Sequence, residues 1–437
     1  MTDSTGSTKS LLDVVRDDTF TDLSDKDAVD LFKNTFGPEL EHLKKASPTV
    51  ESSAIDSSLW SPSKEAFGKN FHEVNRTLVS MLAIKWVLGG DYEAFTCGQN
   101  EKSKLREDSF KTLRKYCRDR LPSPEDKYAL LVAMMIDDIG KDKNLAKEVG
   151  IPDKNHGEVL LRAVEMDRVP AMRTLPDQDK KADIIQSLRI GSKLDISQLV
   201  QGETAPHSLL ALKDGHKLEK GFNIKAMVTF LDVGGAAAHS NPRGCTVITE
   251  PIFRHYMKAI EILDDYRKRT NPNWPECYND YLDYRAGILK DREFVLLSVR
   301  DQEQRALLRL LCMGRVETKE DAERFQRAFE NLADPFKKNL VNGLSVNGFG
   351  DGTAILPYYA PGILVEVLRN ILDPTEDRII LHLSVFMRFL AGVYGGSKPD
   401  PTKEDGLEER DLAQVQDLVR SAKFKEDPES LALEKVK

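Results

Sequence analysis

Two adjacent aspartates, Asp137 and Asp138, follow an apolar run in the stretch YALLVAMMIDDIGK, which begins at Tyr128. Taking one carboxylate out of water is costly, and a second beside it adds repulsion unless a cation, a metal ion or a hydrogen-bond donor meets the pair. Paired carboxylates can hold a guanidinium group or take part in proton transfer. The pair is therefore a candidate functional site, and Lys141 and Lys143 are the alternative, purely local source of neutralising charge.

Four further ionisable residues stand at the ends of other apolar segments. His72 begins one segment, His156 and His207 open two more, and Asp232 ends another, followed by the small residues GGAAA. A helical bundle can turn such helix ends toward a common centre, so we expect these four residues to converge with the aspartate pair on one cavity. The alternative for any single histidine is a surface position or a hydrogen-bonded place in the core.

A group of basic side chains shares one face of a predicted helix between Glu101 and Leu121. Its members occupy positions i, i+3, i+4 and i+7 of the helix: Lys111, Arg114, Lys115 and Arg118. Such a face suits phosphates and predicts a docking site for a nucleic-acid backbone. The alternative is a solvated helix face balanced by its acidic neighbours Glu107, Asp108 and Asp119.

The elements that would position these residues are helices. Apolar positions recur at helical spacing through most of residues 66–396, and Ser123 with Pro124 forms a helix start signal before the acidic pair. Gly89 and Gly90 form a stop signal after the preceding segment. Alternating strands bounded by hairpin turns are nearly absent. The sequence therefore predicts an all-α fold, a large multi-helix bundle.

Three parts of the chain differ in composition. Residues 1–64 mix Ser, Thr, Asp and Pro around short amphipathic pieces and predict a loosely attached N-terminal arm. Residues 65–396 predict the helical catalytic domain. Residues 397–437 are highly charged and predict a surface tail.

Composition also narrows the class of protein. The chain is 40% hydrophobic and 31% charged, which is typical of a globular protein. Its first residues lack the apolar core of a signal peptide. The longest apolar segment, from Ile379, carries the polar residues His382 and Arg388. We therefore expect a cytoplasmic protein that does not enter a membrane, with that segment as a buried helix. Five scattered cysteines without a CxxC pair predict reduced thiols. A net charge of −8 argues against a protein that coats nucleic acid, DNA included, but leaves room for a local basic patch.

The order of the ionisable residues resembles the HD superfamily of metal-dependent phosphohydrolases over about residues 66–240. In that family a first-helix His, an adjacent His and Asp before IGK, two later histidines and a final Asp converge on metal ions. MMIDDIGK is similar to the core motif, with Asp137 standing where the His belongs and Asp138 matching the Asp. The resemblance implies an HD-like helical core with extra C-terminal helices.

The chain also resembles the arginine-containing cyclodipeptide synthases of fungi. The resemblance rests on length, an all-α chain, the basic stretch, and DDIGK, which is similar to that family's acidic DDxxE motif although Lys141 replaces the Glu. It implies an aminoacyl transferase that condenses arginine with a second amino acid, both delivered as aminoacyl-tRNA, into a diketopiperazine. It implies no metal and no cofactor, with the aspartates holding the guanidinium and His72, His156 or His207 as the base.

Two alternatives stay open from the sequence. The first is an HD-type phosphohydrolase or oxygenase that binds iron, manganese or magnesium through His72, Asp138, His156, His207 and Asp232. The second is a catalytically inactive HD-like scaffold that binds a partner through its helical surface. The missing histidine at position 137 favours the synthase over the metal enzyme, because a carboxylate in its place changes the metal preference of the site.

Overall fold

The structure is a computed structural model, and it describes residues 9–47, 59–213, 217–346, 348–349, 351–400 and 406–434. Helices dominate it. The only strands in these ranges are β1 (Ala354–Leu356) and β2 (Leu407–Glu409), which pair in parallel. The predicted all-α class is confirmed.

In chain order the α-helices are α1 (Leu11–Arg16), α2 (Asp25–Thr35), α3 (Gly37–Ala46), α4 (Pro62–Phe67), α5 (His72–Gly89), α6 (Tyr92–Thr96), α7 (Glu107–Arg120), α8 (Pro124–Ile136), α9 (Lys143–Glu148), α10 (His156–Glu165), α11 (Gln178–Gly191), α12 (Ile196–Val200), α13 (Glu219–Gly235), α14 (Glu250–Arg267), α15 (Trp274–Asp291), α16 (Gln302–Met313), α17 (Lys319–Glu330), α18 (Asp334–Gly343), α19 (Ala360–Arg369), α20 (Glu376–Gly395), α21 (Gln416–Arg420), α22 (Ala422–Glu426) and α23 (Glu429–Ala432).

The helices belong to two compact units. The first comprises the described residues of 1–193 and 214–257, and the second those of 194–213 and 258–437. The chain therefore enters the second unit at α12, returns to the first for α13, and leaves it again within α14. Each unit has its own apolar core.

The core of the first unit is built from α5, α8 and α13, which pack against one another. The start of α8 is set by Ser123, whose side chain accepts from the backbone of Asp126 while the Asp126 carboxylate accepts from Ser123, and Pro124 occupies the first turn. Helix α5 ends at Gly90, which adopts φ 82°. Both helix signals predicted from sequence are present. The first turns of α5 lie beside the C-terminal ends of α8 and α13, as the ion pairs of Glu73 with Lys141 and of Arg76 with Asp232 show.

The predicted N-terminal arm differs from what the structure places there. Helices α1 and α3 pack on α8 and α5, and Leu11, Phe32 and Leu40 are fully buried. The polar composition of residues 1–64 hid a regular apolar stripe on each short helix, which is enough to hold them on the core. Residues 1–8 and 48–58 of the expected arm lie outside the described ranges.

The second unit packs around α20, which contacts α17, α18, α19 and α23. This helix has the length and composition of a membrane-spanning helix, but its apolar residues Phe386 and Leu390 are buried within the unit, as the segment from Ile379 predicted. The expected charged tail contributes β2 and α21 to α23, with Val419 and Phe424 fully buried. Residues 401–405 and 435–437 of that tail lie outside the described ranges.

Candidate functional site

The turn that follows α8 carries the aspartate pair into the first unit. Asp137 caps the helix, and a short 3-10 turn runs from Ile139 to Lys141. Asp138 is 5% exposed, and the Nζ atom of Lys141 lies 2.8 Å from its Oδ2 atom. That contact is an ion pair without good hydrogen-bond geometry. The buried carboxylate is therefore neutralised from within the same turn.

Lys141 also reaches the first residues of α5. Its Nζ atom lies 2.9 Å from Oε2 of Glu73, so one ammonium group joins two carboxylates. Burial acts to lower the pKa of Lys141, but Asp138 and Glu73 outweigh that effect and the pKa lies above its ordinary value. Lys141 is thus a fixed positive charge between α5 and α8.

Three side chains stabilise the carboxylate of Glu73: Lys141, Arg76 and His72. Nη1 of Arg76 lies 3.3 Å from its Oε2 atom, and Nδ1 of His72 lies 3.2 Å from its Oε1 atom. Burial acts to raise the pKa of Glu73, but His72, Arg76 and Lys141 together hold this pKa well below its usual range. Glu73 is therefore a permanent anion, and the hydrogen between it and His72 belongs to the imidazole.

Asp232 completes the centre from the C-terminal end of α13. Its Oδ2 atom lies 3.4 Å from Nη2 of Arg76, and about a quarter of its side chain, 25%, is exposed. Burial, together with the charges of Asp138 and Asp137, raises the pKa of Asp232 to about 7 although Arg76 and Lys141 oppose the change. At neutral pH this carboxyl group can both take and give a proton.

The approach of α5 to α13 depends on a glycine. A Cβ atom at Gly235 would lie 2.2 Å from the carbonyl oxygen of Arg76 and 2.3 Å from Oγ of Ser80. Only glycine fits such a backbone approach without a shift of one helix. Gly235, three residues after Asp232, therefore serves a tight helix crossing.

Asp137 is bound more loosely than Asp138. Its side chain is 21% exposed, and its Oδ1 atom lies 3.6 Å from Nζ of Lys225 on α13. The distance allows an ion pair but is longer than a charge-assisted hydrogen bond. Asp137 is thus the carboxylate of the pair that a ligand from solvent can reach.

Two half-buried histidines stack beside these charges. The ring centroids of His72 and His239 lie 3.9 Å apart, with the ring planes at 32°. Nδ1 of His239 lies 3.1 Å from the carbonyl oxygen of Ala236, so this nitrogen carries the hydrogen. Burial and the neighbouring His72 lower the pKa of His239 to about 4, which keeps its imidazole neutral at pH 7.

We call the following residues the ionic cluster: Glu73, Arg76, Asp137, Asp138, Lys141, Lys225 and Asp232. With His72 beside it, the cluster unites four of the six residues proposed from sequence to share a centre. His156, the first residue of α10, lies next to the cluster through its backbone, because a Cβ atom on Gly140 would sit 2.0 Å from the His156 carbonyl oxygen. His207 lies in the second unit, in the 3-10 turn Pro206–Leu212.

Sequence reasoning offered Lys141 as a neutralising charge, which the structure shows beside Asp138, but it missed Glu73, Arg76 and Lys225. Glu73 and Arg76 are three positions apart on one helix face, and Lys225 and Asp232 are seven apart on another, so both pairs show helical spacing. That spacing was a usable signal. His239 follows the end of α13 and had no comparable pattern, because its stacking on His72 depends on how α5 and α13 cross.

Cationic side chains lie among the carboxylates of the cluster. Among the described residues, no three His, Cys, Asp or Glu side chains are grouped as metal ligands. The ammonium of Lys141 and the guanidinium of Arg76 stand among the carboxylates that would have to bind the ion, and their charge repels it. Of the residues proposed as metal ligands, Asp138 and Asp232 therefore each have a cationic partner, Lys141 and Arg76 respectively.

The basic face of α7 is partly neutralised. Lys111 pairs with Glu107 at 2.9 Å, and Lys115 pairs with Asp119. Arg114 turns toward the end of α5 and donates from Nε to the carbonyl oxygen of Leu88 at 3.3 Å. Arg118 is exposed. Three of the four residues are thus available to a polyanion, two of them in competition with an acidic neighbour, and Arg114 has a structural contact.

Comparison with known proteins identifies a family but no activity. No curated protein and no solved structure matches the chain. One family model, described as a family of unknown function, matches residues 29–431 and thus most of both units. The chain therefore belongs to the DUF6829 family.

Proposed function

We propose that the protein is an aminoacyl transferase, a cyclodipeptide synthase that condenses arginine with a second amino acid, each delivered as aminoacyl-tRNA. The observation that carries the proposal is the carboxyl group of Asp232, whose pKa of about 7 lies at the operating pH of a general base. The substrate class comes from the resemblance of DDIGK and the basic stretch to the synthase family.

Asp232 suits the proton transfers of this reaction. An aminoacyl ester carries an ammonium group that must lose a proton before it attacks the second ester. In the first step Asp232 takes one proton from the ammonium and releases it to solvent, and the neutral amine attacks the second ester. The N–C bond forms, the ester C–O bond breaks, and the second proton of the nitrogen passes through Asp232 to the departing tRNA oxygen. A second attack by the remaining amine closes the ring and releases the second tRNA in the same way. No external oxidant, reductant or nucleotide is needed.

Asp137 is the residue that we assign to the guanidinium group of arginine. Its carboxylate is partly exposed, and its distance of 3.6 Å from the Lys225 ammonium is longer than a charge-assisted hydrogen bond. A planar guanidinium with two parallel donors can therefore displace this ammonium. Asp138 is buried and bound to Lys141, and its role is to fix the turn that presents Asp137. His72 is a neighbour of this centre and serves as a further proton acceptor.

The nucleic acid part of the substrate is assigned to α7. Lys111, Lys115 and Arg118 are exposed on this helix, and a tRNA phosphate can replace Glu107 or Asp119 as the partner of a lysine. The ester bond of the aminoacyl-tRNA supplies the activation. The proposal thus implies a cytoplasmic enzyme with arginyl-tRNA and a second aminoacyl-tRNA as partners.

The test is production of cyclic dipeptides in a heterologous host, measured by mass spectrometry of extracts. We expect an arginine-containing cyclic dipeptide with the wild type, none with Asp232→Asn, and unchanged production with Asp153→Asn, an exposed aspartate outside the ionic cluster. In vitro, ribonuclease treatment of the aminoacyl-tRNA should stop the reaction. Metal-dependent hydrolysis of phosphate esters without cyclic dipeptides would instead support the HD-type enzyme, and neither activity would support the scaffold.

A further inference from the structure

The stacked histidines His72 and His239 each have one ring nitrogen fixed by the protein. Nδ1 of His72 lies 3.2 Å from Oε1 of Glu73, and Nδ1 of His239 donates to the Ala236 carbonyl oxygen at 3.1 Å. Within the described residues no hydrogen bond reaches either Nε2 atom, and neither of these atoms is buried. A neutral imidazole with its hydrogen on Nδ1 has a lone pair on Nε2. The two rings therefore offer two hydrogen-bond acceptors to a molecule from solvent.

The stack determines what such a molecule meets. The ring centroids are 3.9 Å apart and the ring planes are inclined by 32°, so one small group at the edge of the stack can contact both rings. Burial and the neighbouring His72 lower the pKa of His239 to about 4, so this imidazole carries no charge at pH 7. A neutral ring with its Nδ1 hydrogen already donated can only accept at Nε2. His239 therefore suits a ligand that donates hydrogen bonds.

Asp232 is joined to the stack through Arg76. Nη1 of Arg76 lies 3.3 Å from Oε2 of Glu73, the residue that holds His72, and Nη2 lies 3.4 Å from Oδ2 of Asp232. One guanidinium group thus spans the distance between the two carboxylates. The side chain of His72 is 27% exposed and that of Asp232 is 25% exposed, so solvent reaches both. The proposed base and the open imidazole nitrogens belong to one accessible centre.

The charge of the ionic cluster favours a cation at this centre. The cluster has one more carboxylate than it has cations: its carboxylates are Glu73, Asp137, Asp138 and Asp232, and its cations are Arg76, Lys141 and Lys225. A neutral His239 adds no positive charge. With Asp232 ionised, the cluster therefore has a net negative charge, which attracts a cationic group and repels an anionic one. Charge and acceptor chemistry agree on a cation with several N–H donors.

We propose that His72, His239 and Asp232 bind the α-ammonium group of the aminoacyl substrate, with the two Nε2 atoms and the Asp232 carboxylate as acceptors. A primary ammonium has three N–H donors, one for each acceptor. His239 is then a specificity-determining residue, which accepts a hydrogen bond while the proton passes to Asp232. The inference rests on the proposed function, because it names the group of the aminoacyl ester that this centre recognises.

The test is isothermal titration of the full-length protein at neutral pH with L-argininamide and with its des-amino analogue, which lacks only the α-amino group. We expect the wild type to bind argininamide at least about tenfold more tightly than the analogue. His239→Phe and His72→Phe keep an aromatic ring in the stack but remove the acceptor. Each should weaken argininamide binding by about tenfold and leave binding of the analogue unchanged. His207→Phe, at a half-buried histidine of the second unit, is the control and should change neither.

Circular dichroism of each variant verifies that it is folded. Equal affinity of the wild type for the two ligands, or no binding of argininamide, would overturn the ammonium assignment. So would equal weakening of both ligands by the two phenylalanine variants, because the histidines would then support the site through packing alone.

The ammonium assignment and the proposed function fail in different experiments. Cyclic dipeptides from a wild type that binds both ligands equally would overturn the ammonium assignment and leave the synthase standing. Preference for argininamide that is lost in both phenylalanine variants, without any cyclic dipeptide from the wild type, would support the ammonium site and overturn the synthase.

Discussion

At the scale of single residues, lysine and arginine side chains of the protein offset the free-energy cost of burying its carboxylates. Asp138 is bound by Lys141, Asp232 by Arg76, and Asp137 at a longer distance by Lys225. The strength of each ion pair follows its burial, because water screens an exposed pair. Substitution of the two adjacent aspartates should therefore lower the free energy of unfolding by different amounts, although both substitutions should abolish activity.

Asp138→Asn should lower the free energy of unfolding by about 2 kcal/mol, because it breaks a buried ion pair and leaves Lys141 with one carboxylate fewer. Asp137→Asn should lower the free energy of unfolding by less than about 1 kcal/mol, because the ion pair of Asp137 with Lys225 is longer and partly exposed. Both should abolish product formation with helical content retained. Urea unfolding, circular dichroism and activity are the measurements, and full activity in both variants would remove the pair from the site.

Asp232 should make both stability and activity depend on pH. Its pKa of about 7 in the folded state exceeds the ordinary value of 3.8, so the folded state binds this proton more tightly than the unfolded state. That contribution to stability is fully present below about pH 4 and is lost as pH rises through about 7. We expect the free energy of unfolding of the wild type to fall over this window relative to that of Asp232→Asn.

Activity should increase with pH where stability decreases, because a general base must be deprotonated to accept a proton. The rate should rise through about pH 7 in the wild type. Urea unfolding at several pH values and a pH–rate profile measure the two effects. A stability difference between wild type and Asp232→Asn that is constant from about pH 4 to 8 would contradict the assigned pKa.

At the scale of elements, glycines decide how closely the helices of the site approach. Gly235 lies where α13 crosses α5, and Gly140 lies where the turn after α8 meets α10. In contrast, a Cβ atom added to Gly392 on α20 would meet nothing within 4 Å. The same substitution should therefore have opposite effects at different helix positions.

Gly235→Ala should destabilise the protein by about 2 to 3 kcal/mol, because the new methyl group overlaps the backbone of Arg76. It should also shift the pKa of Asp232, which depends on the distance to Arg76. Gly392→Ala should stabilise by about 0.5 to 1 kcal/mol through helix propensity. Thermal and urea unfolding test both, and a neutral Gly235→Ala would show that the α5–α13 crossing is looser than these distances indicate.

The exposed face of α7 is the second element with an assigned role. Replacement of Lys111, Lys115 and Arg118 by Ala should weaken tRNA binding at low salt. The slope of log affinity against log salt should fall by about 0.7 to 0.9 for each phosphate that no longer has a basic partner. Filter binding over a range of salt concentrations gives this slope.

A matched triple variant with changes elsewhere on the surface of the first unit is the control: Lys33→Ala, Lys147→Ala and Arg168→Ala. It removes the same charge and should leave the slope unchanged. Equal slopes for the wild type and the α7 variant would show that α7 is only a solvated face. Arg114 is left intact in both, because its contact with Leu88 gives it a structural role.

At the scale of the whole molecule, a short segment between two parts of the first unit belongs to the second. Arg309 on α16 holds this segment, with Nε donating to the Gly202 carbonyl at 2.8 Å and Nη2 to the Thr204 carbonyl at 2.9 Å. The Tyr278 hydroxyl donates to the same Thr204 carbonyl at 3.0 Å. Arg309 is 2% exposed, so these bonds have no competition from water.

Arg309→Met should lower the free energy of unfolding by about 3 to 5 kcal/mol, since it removes the donor to the buried carbonyl groups of Gly202 and Glu203. Arg315→Met is the control, because this exposed arginine donates a hydrogen bond to the Gln201 side chain at 3.2 Å. Its loss should change the free energy of unfolding by less than about 0.5 kcal/mol. Urea unfolding measures both. Similar costs for the two variants would contradict the role of Arg309 in holding residues 194–213.

The sequence by itself determined the fold class, the helix signals around Ser123 and Gly90, and the positions of His72, Asp137, Asp138 and Asp232 at helix ends. These depend on local spacing, capping and propensity, which neighbouring residues encode. The sequence also offered Lys141 as a local neutralising charge. The tertiary structure alone decided that Arg76 and Lys225 join it, that His239 stacks on His72, and that His207 lies in the other unit. Those outcomes depend on which helices cross and how closely, and contacts between residues far apart in the chain carry no local pattern.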